Sequence, residues 1–235
     1  CKVLAPEILA IIPALQTFSV QFGSRKGQLG FWVLSTDTGI DLSVEGMEHQ
    51  LEKDLGLFAL WAGSNGIARL SIGNEIICQH QAPQLTFGKV TVSTPPRAFT
   101  QATPQGEKTL QDAVGLALAG ADKVIDLFSG VGTLSLPLAG VATLHCVEND
   151  KGLLDALAHG VRHTQGIKSV TTSARDLYRN PVDHTDLIKF NAAIVDPPRA
   201  GAEKQVQQLA QSSVPDIAMV SCNPVSFARD ANILC

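Results

Sequence analysis

Hydrophobic and polar positions follow two different rhythms in this chain. Over the first ninety-odd residues, short apolar stretches are separated by glycine-bearing turns. "PEILAIIPALQTF" predicts a helix opening at Pro6, since proline is tolerated in a first helical turn. "SVQFG", "QLGFWVLST" and "GIDLSV" read as strands, and "EHQLEKDLG" as a helix with Glu48 and Glu52 on one face. "LFALWAG", "IARLSI", "NEIICQH" and "KVTVST" read as further strands. Together these predict a small α+β domain over residues 1–97, with Pro95-Pro96 marking the joint. The sequence contains no internal repeat and no low-complexity tract.

From about Ala98 the rhythm lengthens. "QGEKTLQDAVGLALAG" has helical periodicity, and four apolar runs follow it. They end at Asp126 in "DKVIDLFSGVG", Glu148 in "ATLHCVE", Asp196 in "NAAIVDPPR" and Cys222 in "DIAMVSCNP". "KGLLDALAHGVRH" and "AEKQVQQLAQSS" lie between some of these runs and read as helices. Alternating strands and helices predict an α/β domain over 98–235, with a parallel sheet and right-handed crossovers. Ligands of such sheets bind outside the carboxyl ends of the strands. The four run-ending residues are therefore expected on one rim.

Each motif has a chemical reading and a plainer one. Gly130 and Gly132 form a turn after an apolar strand, which lets a ligand approach backbone closely. A dinucleotide fingerprint would carry glycine at position 135, where this chain has Ser135, so an ordinary tight turn stays open. Glu148, 22 residues after Asp126, suits two ribose hydroxyls or simple solvation at a strand end. Asp176 in "TTSARDL" is a candidate partner for an adenine amino group. Pro197 and Pro198 stiffen the loop after Asp196, and Arg199 offers a contact to phosphate or a carbonyl oxygen. That loop also reads as a rigid surface turn. Cys222 precedes an Asn-Pro step that caps a helix, and a helix N-terminus favours a thiolate. It therefore reads as a nucleophile or as a core filler. Metal binding there fits poorly, because no second Cys or His lies at ligand spacing.

Composition narrows the class. With 45% hydrophobic and 17% charged residues, the chain has the make-up of a soluble globular protein. Its net charge of −4 supplies no basic field of the kind that announces a nucleic-acid binder, although one face can still be basic. No apolar run approaches the ~18 residues that span a bilayer, so no membrane partner is expected. The five cysteines are scattered and form no CxxC pair, which points to a reducing cytoplasm rather than a disulfide framework.

Taken in order, "FTQ" (99–101), "DLFSGVGTLSLPLA", "CVE", "VDPPRAGA" and "VSCNPVSFARD" resemble the motifs of the RNA uracil-5-methyltransferase family, closest to its ribosomal-RNA branch. The resemblance covers nearly the whole chain. It implies a Rossmann-like class I methyltransferase domain preceded by a smaller domain. It further implies S-adenosylmethionine held by Gln101, Phe128, Gly130, Thr133, Glu148 and Asp196, with Gly132 beside it and Cys222 as nucleophile. Thr133 stands where the family often has Asn, Ser129 replaces a frequent Cys, and "FTQAT" lacks an Asn often found two residues after the Gln. Cys1 in "CKVLAP" matches one ligand of a 4Fe-4S cluster in the ribosomal branch. On this resemblance the chain is truncated at both ends. The other cluster cysteines and an OB-like RNA-binding domain would precede residue 1, and the general base, a Glu, would follow residue 235. The expectation is a monomer acting on ribosomal RNA or, alternatively, transfer RNA, with this stretch alone inactive. Three other readings remain: a methyltransferase acting on an amino nitrogen without a cysteine nucleophile, a nicotinamide-dependent oxidoreductase, and a non-catalytic RNA-binding module. The missing third glycine and the DPPR loop argue against the oxidoreductase.

Overall fold

The computed structural model describes residues 4–24, 27–47, 51–73 and 75–235. These divide into two compact units, 1–85 with 93–103 and 86–92 with 104–235. Among the described residues, no helix is long and apolar enough to cross a membrane.

The first unit is a four-stranded sheet under two helices. Helix α1 (Pro6–Phe22) precedes strands β1 (Gly30–Thr36) and β2 (Gly39–Glu45). Helix α2 (Leu51–Ser64) then leads to β3 (Ile67–Ile72) and β4 (Glu75–Gln79). The strand order is β1-β2-β3-β4, with β2 and β3 parallel and both outer pairings antiparallel. The segment β2-α2-β3 is thus a crossover unit.

Two segments expected as strands are helical. "SVQF" is the last turn of α1, and "LFALWAG" lies inside α2. Short apolar runs do not reveal their period until their partners are known. Here Ile11, Phe18 and Phe22 recur at helical spacing and are buried, as are Phe58, Trp61 and Ala62. Their rings meet in one cluster, with Phe18–Trp61 centroids 4.7 Å and Phe22–Phe58 centroids 4.8 Å apart. The expected placement of Glu48 and Glu52 on one helix face falls outside the described residues.

The other face of this sheet is polar and buried. Ser43 and Ser71, opposite each other in β2 and β3, share a hydrogen bond of 2.6 Å. One row along, Arg69 donates to both oxygens of Asp41, at 2.9 and 2.6 Å, and its remaining nitrogen donates to the Thr94 carbonyl at 2.8 Å. This fork-on-carboxylate geometry is the one that best compensates a buried pair for its lost hydration.

A hairpin of β5 (Gln84–Phe87) and β6 (Val90–Ser93) follows. Helix α3 (Pro104–Ala117) then leads into β7 (Lys123–Leu127), β8 (Thr143–Glu148), α4 (Lys151–Arg162) and β9 (Val170–Ala174). The chain continues through α5 (His184–Leu187), β10 (Ala192–Val195), α6 (Glu203–Ala210), β11 (Asp216–Met219) and α7 (Pro224–Leu234). The glycine motif opens onto a short 3₁₀ turn, Leu136–Leu138. The five strands run parallel in the order β11-β10-β7-β8-β9. The chain winds outward from β7 through β8 to β9, then returns to the other side of β7 with β10. That reversal opens a crevice at the carboxyl ends of β7 and β10, where ligands of open α/β sheets bind. Gly160 of α4 faces the hairpin at such close range that a Cβ there would lie 2.5 Å from the Thr91 carbonyl oxygen.

Candidate active site

Strand register puts two of the four expected rim residues, Glu148 and Asp196, in one line, while Asp126 lies two residues back inside β7. Leu127 of β7 pairs with Val147 of β8 and Val195 of β10, and Val195 pairs with Met219 of β11. One residue beyond this row stand Phe128, Glu148, Asp196 and Val220. The Val220 amide donates to the Val195 carbonyl at 2.9 Å, so the alignment continues one step past the strands. Cys222 follows two residues later, and Asp176 lies two residues past the end of β9.

The glycine turn is held by its neighbours. The Phe128 and Ser129 amides both donate to the Val147 carbonyl, at 3.0 and 3.1 Å. Phe128 adopts φ +65°, a left-handed conformation that costs a non-glycine residue about 1 kcal/mol or more. Its ring packs into the core with Leu177 and Val182 and lies 5.4 Å from that of Tyr178. Gly130 sits at φ +55° with open space where a Cβ would project, and its amide donates to Glu148 Oε2 at 3.0 Å. Glu148 Oε1 accepts from the Asn149 and Asp150 amides at 2.7 and 3.0 Å. Three backbone donors therefore fix this carboxylate over the turn. Thr133 is half-buried, and its carbonyl accepts from the Gln111 side chain at 3.0 Å.

Beneath the turn lies a buried polar chain that sequence reasoning missed. Asp126 is 1% exposed, and Ser135 donates a hydrogen bond to its carboxyl group. Ser135 Oγ also lies 3.6 Å from the Cys146 sulfur. Burial pushes Asp126 up to about 7, against the Ser135 hydrogen bond and with help from the charges of Asp196 and Glu148. Burial also raises Asp196, and burial followed by the Asp126 charge raises Cys146. Asp126 Oδ2 and Ser129 Oγ are buried without a hydrogen-bond partner among the described residues. The only trace of this network in the sequence is Ser135 at the place of a fingerprint glycine.

In the unfolded chain Asp126 titrates near 3.8, and in the fold near 7. Between these values the folded state keeps a proton that the unfolded state has lost, so stability falls as pH rises through this window. Asp126→Asn removes the effect. Urea denaturation should therefore show the variant gaining on the parent by about 2–3 kcal/mol between pH 5 and pH 8.

Cys222 is exposed and sits just before α7. Asn223 caps that helix by accepting from the Val225 amide at 3.1 Å, and Pro224 is its first residue. Cys222, Pro224 and Phe227 edge an open apolar groove of about 600 Å³, walled by Leu110, Val114 and Met219. The loop after Asp196 has Pro197 buried and the Arg199 side chain exposed. Asp176 spends one carboxylate oxygen on the Tyr178 and Arg179 amides, at 3.0 and 3.2 Å. Gln101 is half-buried in the segment that groups with the first unit. Cys1 lies outside the described residues. Among the described residues, no group of three or more His, Cys, Asp or Glu side chains is placed to hold a metal ion. The iron–sulfur expectation rests on Cys1 and so falls outside the described residues.

A parallel sheet opening at β7 and β10, with a glycine turn and the carboxyl groups of Glu148 and Asp196 on its rim, is the architecture of a nucleotide-cofactor-binding α/β protein. The chain belongs to the tRNA (uracil-5-)-methyltransferase family, whose model matches residues 89–234. It is 41% identical over 234 residues to an uncharacterized RNA methyltransferase of Rhizobium meliloti, covering 100% of this chain and 56% of the relative. It is 26% identical over 244 residues to the 23S rRNA (uracil(1939)-C(5))-methyltransferase RlmD of Shewanella halifaxensis, covering 100% of this chain and 55% of that protein. The chain therefore spans little more than half the length of these curated relatives. Among solved structures, the Pyrococcus abyssi tRNA (uracil-54, C5)-methyltransferase in complex with S-adenosyl-L-homocysteine superposes with a TM-score of 0.71 at 20% identity, over 96% of this chain and 60% of that one. The fold is accordingly the Rossmann-like methyltransferase fold expected from the resemblance, accompanied by a smaller α+β unit.

Proposed function

We propose that this chain carries the catalytic centre of an RNA uracil-5-methyltransferase that uses S-adenosylmethionine. The observation that carries the reading is the shared rim: Glu148 and the open Gly130 turn lie in strand register with Asp196, and Cys222 directly precedes the Asn223 cap of α7. The site suits the cofactor. Glu148 Oε2, which accepts from the Gly130 amide alone, keeps acceptor capacity for a ribose hydroxyl, and Gly130 leaves room for a ligand against backbone. Glu148 and Asp196 form an acidic rim that complements a cationic sulfonium and ammonium. Phe128 contributes its backbone at the turn, Gly132 and Thr133 line the same loop, and Gln101 remains a candidate contact.

S-adenosylmethionine supplies an electrophilic methyl group. Cys222 adds through its sulfur to C6 of the uracil ring, and the C5–C6 electron pair moves to make an enolate with nucleophilic C5. C5 takes the methyl group, and the cofactor sulfur keeps the electron pair of the broken bond. A base then removes the C5 proton, the C5–C6 double bond re-forms, and Cys222 leaves as thiolate. Asp196 and its stiff loop orient the reacting ring.

The likeness to a 23S rRNA methyltransferase supports ribosomal RNA as the substrate. Isotopic methyl transfer to ribosomal and transfer RNA transcripts, with product nucleosides mapped, tests both class and target. Label in 5-methyluridine of ribosomal RNA is the expected result. Label on an amino nitrogen would replace this reading with the cysteine-independent class. For the cofactor, Glu148→Ala should weaken S-adenosylhomocysteine binding by on the order of 10-fold or more in calorimetry, since it removes charge-assisted hydrogen bonds.

A further inference from the structure

The DPPRAGA loop and the cysteine-bearing helix are tied together by α7 side chains. Asn223 Nδ2 and Ser226 Oγ both donate to the Arg199 carbonyl, at 2.9 and 3.1 Å. Arg229 Nη2 donates to the Ala200 carbonyl at 3.0 Å. Asp230 Oδ2 accepts from the Ala202 amide at 2.6 Å, while Asp230 Oδ1 accepts from Arg229 Nε at 2.8 Å. Positions 223, 226 and 230 recur at three- and four-residue spacing on one face of α7. Gly201 closes against that face at φ +82°, and a Cβ there would lie 2.5 Å from Asp230 Oδ2 and 2.9 Å from the Ser226 Cβ.

Asp230 is 0% exposed. Apolar packing could hold a helix to a loop without the desolvation cost of a buried carboxylate. What a saturated charged network adds is a single permitted geometry. We propose that Asp230, with Ser226, is a positioning residue for methyl transfer. It locks the 199–202 loop, and through that loop Asp196 and Arg199, against the cap that presents Cys222. This rests on the methyltransferase reading above. The competing role is purely structural, because Ala202 precedes α6 with no side-chain cap of its own and Asp230 serves its amide from another element.

Asp230→Asn and the milder Ser226→Ala separate these roles in a protein of the relatives' length that carries this chain. The probe is RNA containing 5-fluorouridine, which traps the Cys222 adduct because C5 then has no proton to release. Three quantities are read: the limiting rate of capture and its half-saturating RNA concentration, S-adenosylhomocysteine affinity, and hydrogen exchange of the Gly201 and Ala202 amides. The expected result is a limiting rate lower by about 10-fold or more in Asp230→Asn and by several-fold in Ser226→Ala. Exchange of both amides should be faster, with cofactor affinity and half-saturation within about twofold of the parent. A lowered melting temperature and weakened cofactor binding, with an unchanged limiting rate per folded molecule, would make Asp230 a structural cap and overturn the proposal. Unchanged exchange in both variants would also overturn it. Failure of the parent itself to bind S-adenosylhomocysteine and capture RNA would sink the methyltransferase reading, and the positioning role with it.

Discussion

Cys222→Ala, made in a protein of the relatives' length that carries this chain, should abolish methyl transfer to RNA, with a fall on the order of 10⁴-fold or more, while leaving S-adenosylhomocysteine binding within about twofold. The asymmetry comes from where the residue sits. The proposed cofactor rim is built by β7, β8 and the glycine turn, whose hydrogen bonds involve Val147, Gly130 and Glu148 and not the 222–224 cap. Cys222 is exposed at the start of α7, so its removal opens no cavity and strands no buried polar atom. The substitution should therefore act on chemistry and not on folding. Methyl transfer assays on RNA, run beside calorimetry with S-adenosylhomocysteine, read both effects. Activity that survives the substitution would return the amino-nitrogen class to first place.

Arg69→Ala should be the most damaging single change to stability in the first unit, costing about 3–5 kcal/mol. Arg69 and Asp41 are 4% and 2% exposed and face each other across β2 and β3. Removing the guanidinium leaves a buried carboxylate with its fork partner gone, and also frees the Thr94 carbonyl. Replacing both members together, as Arg69→Met with Asp41→Leu, should recover most of the loss, because the cost lies in the unpaired charge. Urea denaturation followed by tryptophan fluorescence reads this unit directly, since both tryptophans, Trp32 and Trp61, belong to it. A loss in Arg69→Ala below about 1 kcal/mol would show that the pair is hydrated or replaceable.

Local patterns in the sequence reached the strand ends correctly because both signals are short-range. An apolar run ending in a polar residue, followed by glycine or proline, marks a strand leaving the sheet wherever the rest of the chain lies. Asn223-Pro224 announces a helix start by the same local chemistry and starts one here. The first unit was less legible. "SVQF" and "LFALWAG" are too short to declare a period, and their helical state follows from Phe18, Phe22, Phe58 and Trp61 packing together.

By itself, then, the sequence determined the alternation of strand and helix, the glycine turn, the acid at the end of β8 and the capped cysteine. Each depends on residues a few positions apart. Only the tertiary structure decided what supports them. Ser135 reaches Asp126 from the far side of the glycine turn. Asp41 meets Arg69, and Asp230 meets Ala202, each across 28 residues of chain. A buried polar group can be satisfied from any distance along the chain, so its partner leaves no pattern to read. Burial and hydrogen bonding chose these partners once the sheets had formed.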